Sequence, residues 1–336
     1  PSWLGHNWRA RRRHRGDEAL GQGMVAFAAG DMVEARKLAQ RAERLLGQGV
    51  LPDLLSAQTA HATGDDRAAR RYFKSLSTQS GTAYFGHLGL MQLHLAQGEA
   101  EKGCMAARAA LAIKTSSVPA NLVLLSEDLN RKNWKSALDR LEGVLLSKHS
   151  LFTAGSRQKN ALPLLSSDTA HFAAGQLNKP ELLAAHLCLC LAEQQKDDKV
   201  RQTYLAKALD WSPAFLEATI RLARLEATSS PRKALKRLET AFKTVPHHRL
   251  ANLIAEVSSD NDGQFVARLS GLAEQAADKD EARLVVAQAA LSKGIWASAS
   301  SALHAISKKG QSNQYFLLNA ELAEKRSKSL GQIPDD

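Results

Sequence analysis

Residues 30–42 read GDMVEARKLAQRA, residues 64–76 read GDDRAARRYFKSL, and residues 98–110 read GEAEKGCMAARAA; these three stretches decide the fold. Each begins with a glycine and an acidic residue, and the starting points lie 34 residues apart. A glycine that ends one helix and an acidic residue that caps the next predict a repeated helix-turn-helix unit. The spacing continues through Lys132-Asn133, through the small residues Ala35, Ala69, Gly103 and Ala137, and through Ala42, Leu76, Ala110 and Val144.

This spacing is the layout of a tetratricopeptide repeat (TPR), in which helix pairs of about 34 residues stack side by side. The predicted fold is all-α, a TPR-like solenoid with a right-handed superhelix. The composition suits stacked helices with small contacts, since 44% of the residues are hydrophobic and only 5% are aromatic. Solenoids of this kind present extended binding surfaces, so the pattern favours a protein-binding scaffold over a catalyst.

The repeat rhythm also predicts how the chain is divided. It falters between Lys148 and Lys179 and returns at Pro213 and Pro246, each of which follows an alanine by five residues and stops a second helix. A further Gly turn follows at Gly294. The predicted segments are a basic lead-in that is extended or loosely helical (1–16), an N-terminal TPR array (17–149), an irregular stretch with an inserted helix (150–179), a C-terminal TPR-like array with a capping helix (180–328), and a tail (329–336).

The net charge of +11 is concentrated at the beginning of the chain. Five arginines precede the first acidic residue, Asp17, and leave 40 basic against 34 acidic residues in the remainder. The arginines could bind anionic lipid, grip nucleic-acid phosphates or form a solvated tail, and two nearby tryptophans favour the lipid surface. The predicted membrane-surface residues are Trp3, Trp8, Arg9, Arg11, Arg12, Arg13 and Arg15.

Other signals favour a reducing compartment and show no membrane span within these residues. The longest apolar run, from Leu182 to Ala192, is too short to cross a bilayer and contains His186. Three cysteines, Cys104, Cys188 and Cys190, are too few for a disulfide framework, which favours a reducing compartment. The chain starts with proline rather than methionine, so we expect a preceding segment.

Candidate chemistry is sparse. Cys188 and Cys190 lie two residues apart on a predicted helix without a second cysteine pair, so buried thiols are favoured over a metal site. His87 and His94, two turns apart, are the candidate porphyrin ligands. No phosphate loop, HExxH, GxSxG or other catalytic set is found, and we predict neither enzymatic activity nor a bound cofactor or metal.

A TPR solenoid binds its partner in the groove lined by the first helix of each pair. Polar residues of those predicted helices are therefore the candidate groove residues. They are Gln58, His61, His87, Gln92 and Asn121.

Several of these stretches resemble one family. Trp8–Arg13, Ala19-Leu20 to Gly30-Asp31, and Leu54–Gln58 with Gly64-Asp65 are similar to the segment that follows the membrane anchor in bacterial HemY-type proteins. Arg283–Leu291 with Trp296 resembles the last well-kept repeat of that family.

The resemblance implies a protein of the bacterial inner membrane, with two preceding N-terminal spans and a cytoplasmic TPR domain tied to late haem biosynthesis. The HemY-type family shares its name with an unrelated enzyme, a flavin-dependent protoporphyrinogen oxidase. The dinucleotide-binding fingerprint of that enzyme is absent from this sequence. The first hypothesis is a non-enzymatic scaffold whose partners include late haem-pathway enzymes. The alternatives are a porphyrin carrier, a general TPR adaptor unrelated to haem, and an RNA-binding repeat protein; the last rests on charge alone, and no nucleic-acid partner is expected.

Overall fold

The computed structural model of the chain describes residues 2–47, 49–146 and 180–330. Throughout these ranges the regular structure is helical, without strands, and helices that follow one another in sequence pack together. The predicted all-α helical-repeat solenoid is therefore confirmed. The handedness of the superhelix stays a prediction, and the predicted inserted helix lies outside the described residues.

The chain packs as two units, an N-terminal unit (residues 1–180) and a C-terminal unit (residues 181–336). The helices of the N-terminal unit are α1 (Ser2–Ala28), α2 (Met32–Leu46), α3 (Val50–Ala62), α4 (Asp66–Ser77), α5 (Ala83–Ala96), α6 (Ala100–Ile113), α7 (Val118–Asn130) and α8 (Trp134–Leu146). Those that follow are α9 (Pro180–Gln194), α10 (Asp198–Trp211), α11 (Leu216–Ser229), α12 (Pro231–Thr244), α13 (His248–Val257), α14 (Asp262–Ala273), α15 (Lys279–Ser292), α16 (Trp296–His304) and α17 (Asn313–Leu330).

The turns between paired helices have the predicted left-handed backbone. Gly30 has a φ of 83°, and Gly64, Gly98 and Gly294 each have a φ of 73°. Lys132 occupies the fourth turn with a φ of 58°, a conformation that costs a side-chain-bearing residue about 1–2 kcal/mol. The repeat geometry thus survives the loss of its glycine.

Small residues let the paired helices approach closely, as predicted. Ala35, Ala69 and Ala137 are completely buried. A Cβ atom added at Gly103 would lie 2.5 Å from Cδ2 of Leu95, well inside van der Waals contact. A larger side chain at these positions would push the two helices apart.

Helix α1 differs from the predicted lead-in. It runs without a break through residues 2–16, so the extended alternative is wrong for this stretch. A Cβ atom at Gly16 would lie 2.5 Å from Leu46, and the Arg12 side chain donates to the carbonyl oxygens of Arg44 (2.9 Å) and Leu45 (3.1 Å). These contacts join the basic segment to the end of α2, which satisfies carbonyls that a helix terminus leaves unpaired.

Polar bonds repeat between neighbouring helix pairs. Arg36 pairs with Asp65, and Arg70 pairs with Glu99 at 3.5 Å, one 34-residue repeat later. In the C-terminal unit, Arg268 bonds Glu239 at 2.8 Å across the same separation of 29 residues. These bonds link the second helix of one pair to the second helix of the next, or to the turn before it.

The C-terminal unit keeps the predicted proline stops. Helix α10 ends at Trp211, two residues before Pro213, and α12 ends at Thr244, two residues before Pro246. One hydrophobic cluster extends from Ile220 to Leu322 through this unit. From α11 onward the unit therefore has a continuous core despite its less regular sequence.

Candidate partner-binding face

In the N-terminal helix pairs, the first helices α3, α5 and α7 carry fewer charged residues than the second helices α2, α4, α6 and α8. The first helix α1, which contains the arginine cluster, is the exception. Helix α5 has no Asp, Glu, Lys or Arg, and α3 has only Asp53, which is buried and accepts a hydrogen bond from Ser75 Oγ at 2.8 Å. By contrast, α2 carries six such residues and α4 carries five. Solvated charges thus keep to the second helices over this part of the unit.

Equivalent positions of α3 and α5 form an apolar and uncharged row. A leucine lies ten residues before each turn, at Leu20, Leu54, Leu88 and Leu122. The positions six and thirteen residues before each turn lie on the same side of the helix. In α1 the position thirteen residues before the turn is the exposed, charged Asp17. We call the accessible members of the row on α3 and α5, together with Met24 of α1, the first-helix face: Met24, Leu51, Leu54, Gln58, Phe85, Leu88 and Gln92.

Two members of the first-helix face are more exposed than a packing role requires. The exposed fraction is 50% for Met24 and 51% for Leu51. Each of these two side chains offers apolar area that an interaction partner could bury. Neither residue was among the predicted groove residues, because that prediction selected polar side chains; the 34-residue spacing of the leucines would have identified the row.

The predicted groove residues differ in their exposure and in their contacts. Gln58 and Gln92 lie on the first-helix face, half-buried and exposed respectively. His61 is half-buried with its ring 6.1 Å from that of Phe73, and its Nδ1 lacks a hydrogen-bond partner among the described residues. Asn121 donates to the carbonyl oxygens of Ser117 (2.9 Å) and Thr115 (3.2 Å), so its amide holds the turn before α7.

The two candidate porphyrin ligands on α5 are not equivalent. His94 Nδ1 lies 2.6 Å from Glu99 Oε2, a carboxylate that also binds Lys102 at 2.7 Å. His87 is half-buried, and burial lowers its pKa. Seven residues of helix separate the Cα atoms of His87 and His94 by about 10 Å along the axis of α5.

The predicted membrane-surface residues also differ from one another in their surroundings. Arg9, Arg11, Arg13 and Arg15 are exposed, and Trp8 has an exposed fraction of 63%. At about 100° per residue, Arg9 and Arg13 lie on one side of α1 while Arg11 and Arg15 lie on the other. Arg12 caps α2 instead, with its guanidinium 5.6 Å from the Trp8 ring, and the Trp3 side chain lies outside the described residues.

The remaining candidate chemistry shows no reactive group. Burial raises the pKa of the Cys104 thiol to about 11 and raises that of Cys190, while Cys188 is buried. Over the described ranges, no group of three or more His, Cys, Asp or Glu side chains is placed to hold a metal ion. None of the helices described is both long and apolar enough to cross a membrane.

Comparison with known proteins identifies the beginning of the chain. The family model described as the HemY protein N-terminus matches residues 1–64. This region is of the HemY type. It contains α1 to α3 and the turns at Gly30 and Gly64, which are the residues on which most of the predicted resemblance depends.

The match covers the first 64 of the 336 residues. The second part of the resemblance, around Arg283–Leu291 and Trp296, lies outside the match and stays a prediction. None of the curated proteins matches the chain.

Proposed function

We propose that the chain is a non-enzymatic scaffold that binds a partner protein on its first-helix face. The observation that carries the proposal is the row of accessible, uncharged side chains on α3 and α5, beside second helices rich in charge. Half-exposed Leu51 and Met24 give this face apolar area that a partner can bury, at roughly 25 cal/mol per Å².

The same observation defines the partner's chemistry. Because α5 carries no charge that could pair with one on the partner, a charged group buried against it would be desolvated without compensation. The partner surface is therefore apolar with a few neutral polar groups, such as one side of an amphipathic helix, for which Gln58 and Gln92 provide hydrogen bonds. Late haem-pathway enzymes are the partner class that the HemY-type region suggests.

We further propose that this scaffold lies at the cytoplasmic face of the inner membrane, held there by the N-terminal arginines. Four exposed guanidiniums, contributing about 1 kcal/mol each near an anionic surface, support this placement. Because they lie on opposite sides of α1, a membrane in contact with one side would leave the other pair available for acidic groups elsewhere.

A second candidate function is a porphyrin carrier that uses His87. The supporting observation is the lowered pKa of His87, which favours the neutral imidazole that an iron atom binds. Addition of haem would then shift the Soret band, and His87→Ala would weaken that shift while His94→Ala would not. An unchanged spectrum on adding haem would contradict the carrier.

Charge substitution on the two helix types tests the scaffold. Leu51→Glu places an unpaired carboxylate on the first-helix face and should weaken co-purification of membrane-extracted partners at least about tenfold. Met105→Glu is the matched control, because Met105 is an apolar residue of the second helix α6 with an exposed fraction of 66%. Equal loss in both variants, or in neither, would contradict the proposed face; partners outside the haem pathway would favour the general adaptor.

A further inference from the structure

A cavity of about 430 Å³ opens within the C-terminal unit, where α11 faces α9 and α10. Its ionisable lining comprises the guanidiniums of Arg201, Arg221 and Arg224 and the carboxylates of Glu193 and Glu217. Its apolar lining includes the fully buried Leu205. The volume lies within the range of small-ligand sites in proteins.

Internal ion pairs fix most of the charges around this cavity. Arg221 Nη1 lies 2.5 Å from Glu193 Oε1, and its Nε lies 2.8 Å from Glu217 Oε1. Arg249 binds the other oxygen of Glu217 at 2.9 Å. The Glu193 and Glu217 carboxylates are thus held by Arg221 and Arg249, and Arg221 is fixed in place.

The Arg224 guanidinium takes no part in these ion pairs. It is exposed and forms no ion pair within the described residues, whereas Arg201 pairs with the exposed Asp198 at 2.8 Å. Together with Arg249 the site therefore has four guanidiniums and three carboxylates. One positive charge lies uncompensated at the cavity.

We propose that this cavity binds an oxyanion, a carboxylate or phosphate group, with Arg224 as its principal ligand and Arg201 as the second. Guanidinium groups bind both kinds of oxyanion through paired N–H donors. The bond between Arg201 and the carbonyl oxygen of Gln195 (3.0 Å) positions its side chain for this role. The site lies in the C-terminal unit and goes beyond the partner binding proposed for the first-helix face.

Calorimetric titration of the full chain tests the site with inorganic phosphate, succinate, and a peptide with a free or amidated C-terminus. A single saturable site is expected for at least one oxyanion, about tenfold weaker in Arg224→Ala and in Arg201→Ala, and partly retained in Arg224→Lys. Preference among the probes identifies the source: phosphate, a free dicarboxylate, or a chain terminus if amidation abolishes binding.

Arg41→Ala is the matched control, since Arg41 is an exposed arginine of α2 without an ion pair among the described residues. Non-saturable binding of every probe, or equal weakening by Arg41→Ala and Arg224→Ala, would overturn the proposal. Melting temperatures of the variants verify folding. Leu51→Glu should leave oxyanion binding unchanged, so failure of this site and failure of the partner-binding face are distinguishable.

Discussion

Helices α5 and α11 occupy the same place in two helix pairs, yet they present opposite chemistry. Helix α5 has no charged residue, and its accessible side chains are leucine, phenylalanine, histidine and glutamine. Helix α11 carries Glu217, Arg221, Arg224 and Glu226, which form ion pairs or line a cavity. One helix-pair architecture therefore supports an apolar surface in the N-terminal unit and an ionic site in the C-terminal unit.

The comparison also separates what the fold requires from what function uses. Both units bury the small residue in the second helix, such as Ala69 and Ala234, because that position fixes the distance between paired helices. The positions that differ face a neighbouring pair or solvent. Those positions can carry apolar or charged side chains without loss of the helix pair.

Among the substitutions that test this comparison, Gly86→Ala should have the largest effect, a loss of stability in the N-terminal unit. A Cβ atom there would lie 2.3 Å from the Ser77 backbone nitrogen and 2.7 Å from the Phe73 carbonyl oxygen, and neither can move without shifting α4. We expect about 3 kcal/mol of destabilisation, confined to the N-terminal unit, measured as faster amide hydrogen exchange in α3 to α6.

Gly271→Ala is the control for this substitution, because an added Cβ meets no atom within 4 Å and α14 should gain helix stability. Faster exchange across both units in Gly86→Ala would contradict the independent roles assigned to them.

Glu226→Ala should destabilise the C-terminal unit by about 2 kcal/mol, since the Arg237 guanidinium would lose a nearly buried partner at 2.8 Å. Denaturant titration measures the loss, with exposed Glu256→Ala as the control. Burial alone would raise the pKa of Glu226, but hydrogen bonds from Arg237 and Lys233 outweigh it and lower that pKa.

The pH dependence of this contribution follows from the direction of the shift. A lowered pKa means that the folded state favours the ionised form, so the contribution is complete above about pH 4.5 and is lost as the pH falls further. If Glu226→Ala kept the acid sensitivity of the parent chain, the pair would not be its source.

Lys132→Gly should stabilise the N-terminal unit by about 1 kcal/mol, because glycine adopts the φ of 58° without the steric cost that lysine bears. Thermal unfolding measures this gain. Arg131→Gly, at the preceding residue with a φ of −83°, should give no such gain. An equal rise in both variants would show that the turn geometry is not responsible.

Glu99→Gln should have the smallest effect, because its carboxylate lies at the surface. Hydrogen bonds from Lys102 and His94 lower the pKa of Glu99 to about 2 from an ordinary 4.5. Its contribution is therefore present above about pH 4.5 and is lost as the pH falls towards 2. The free energies of unfolding of the parent chain and Glu99→Gln, measured against pH, should become equal as the pH approaches 2. A difference that persisted there would contradict the role given to the Glu99 carboxylate.

The sequence was informative where one residue determines the backbone. Gly30 and Gly64 predicted the turns because glycine adopts positive φ at little cost, and Pro213 and Pro246 predicted helix ends because proline lacks the amide proton. Asp31 was correctly predicted to cap α2, through a bond from Glu34 N at 3.0 Å.

Roles that depend on a distant partner could not be predicted in this way. The α2 carbonyls that hold Arg12 lie more than thirty residues away, so this arginine could not be told apart from Arg11 or Arg13. The oxyanion cavity is a similar case, because Arg224 acquires its place only when α11 packs beside α9 and α10. The sequence did not predict the first-helix face, because a leucine is expected to lie in the core unless its exposure is known.

Site-specific photo-crosslinking in cells tests the central claim most directly. A benzophenone amino acid at Gln92 on the first-helix face is compared with one at Lys74, an exposed residue of the second helix α4. If a partner binds the first-helix face, we expect a defined crosslinked partner at Gln92 and none at Lys74. The Gln92 crosslink should disappear in Leu51→Glu. The same adduct at both positions, or one at Lys74 alone, would contradict partner binding on the first-helix face.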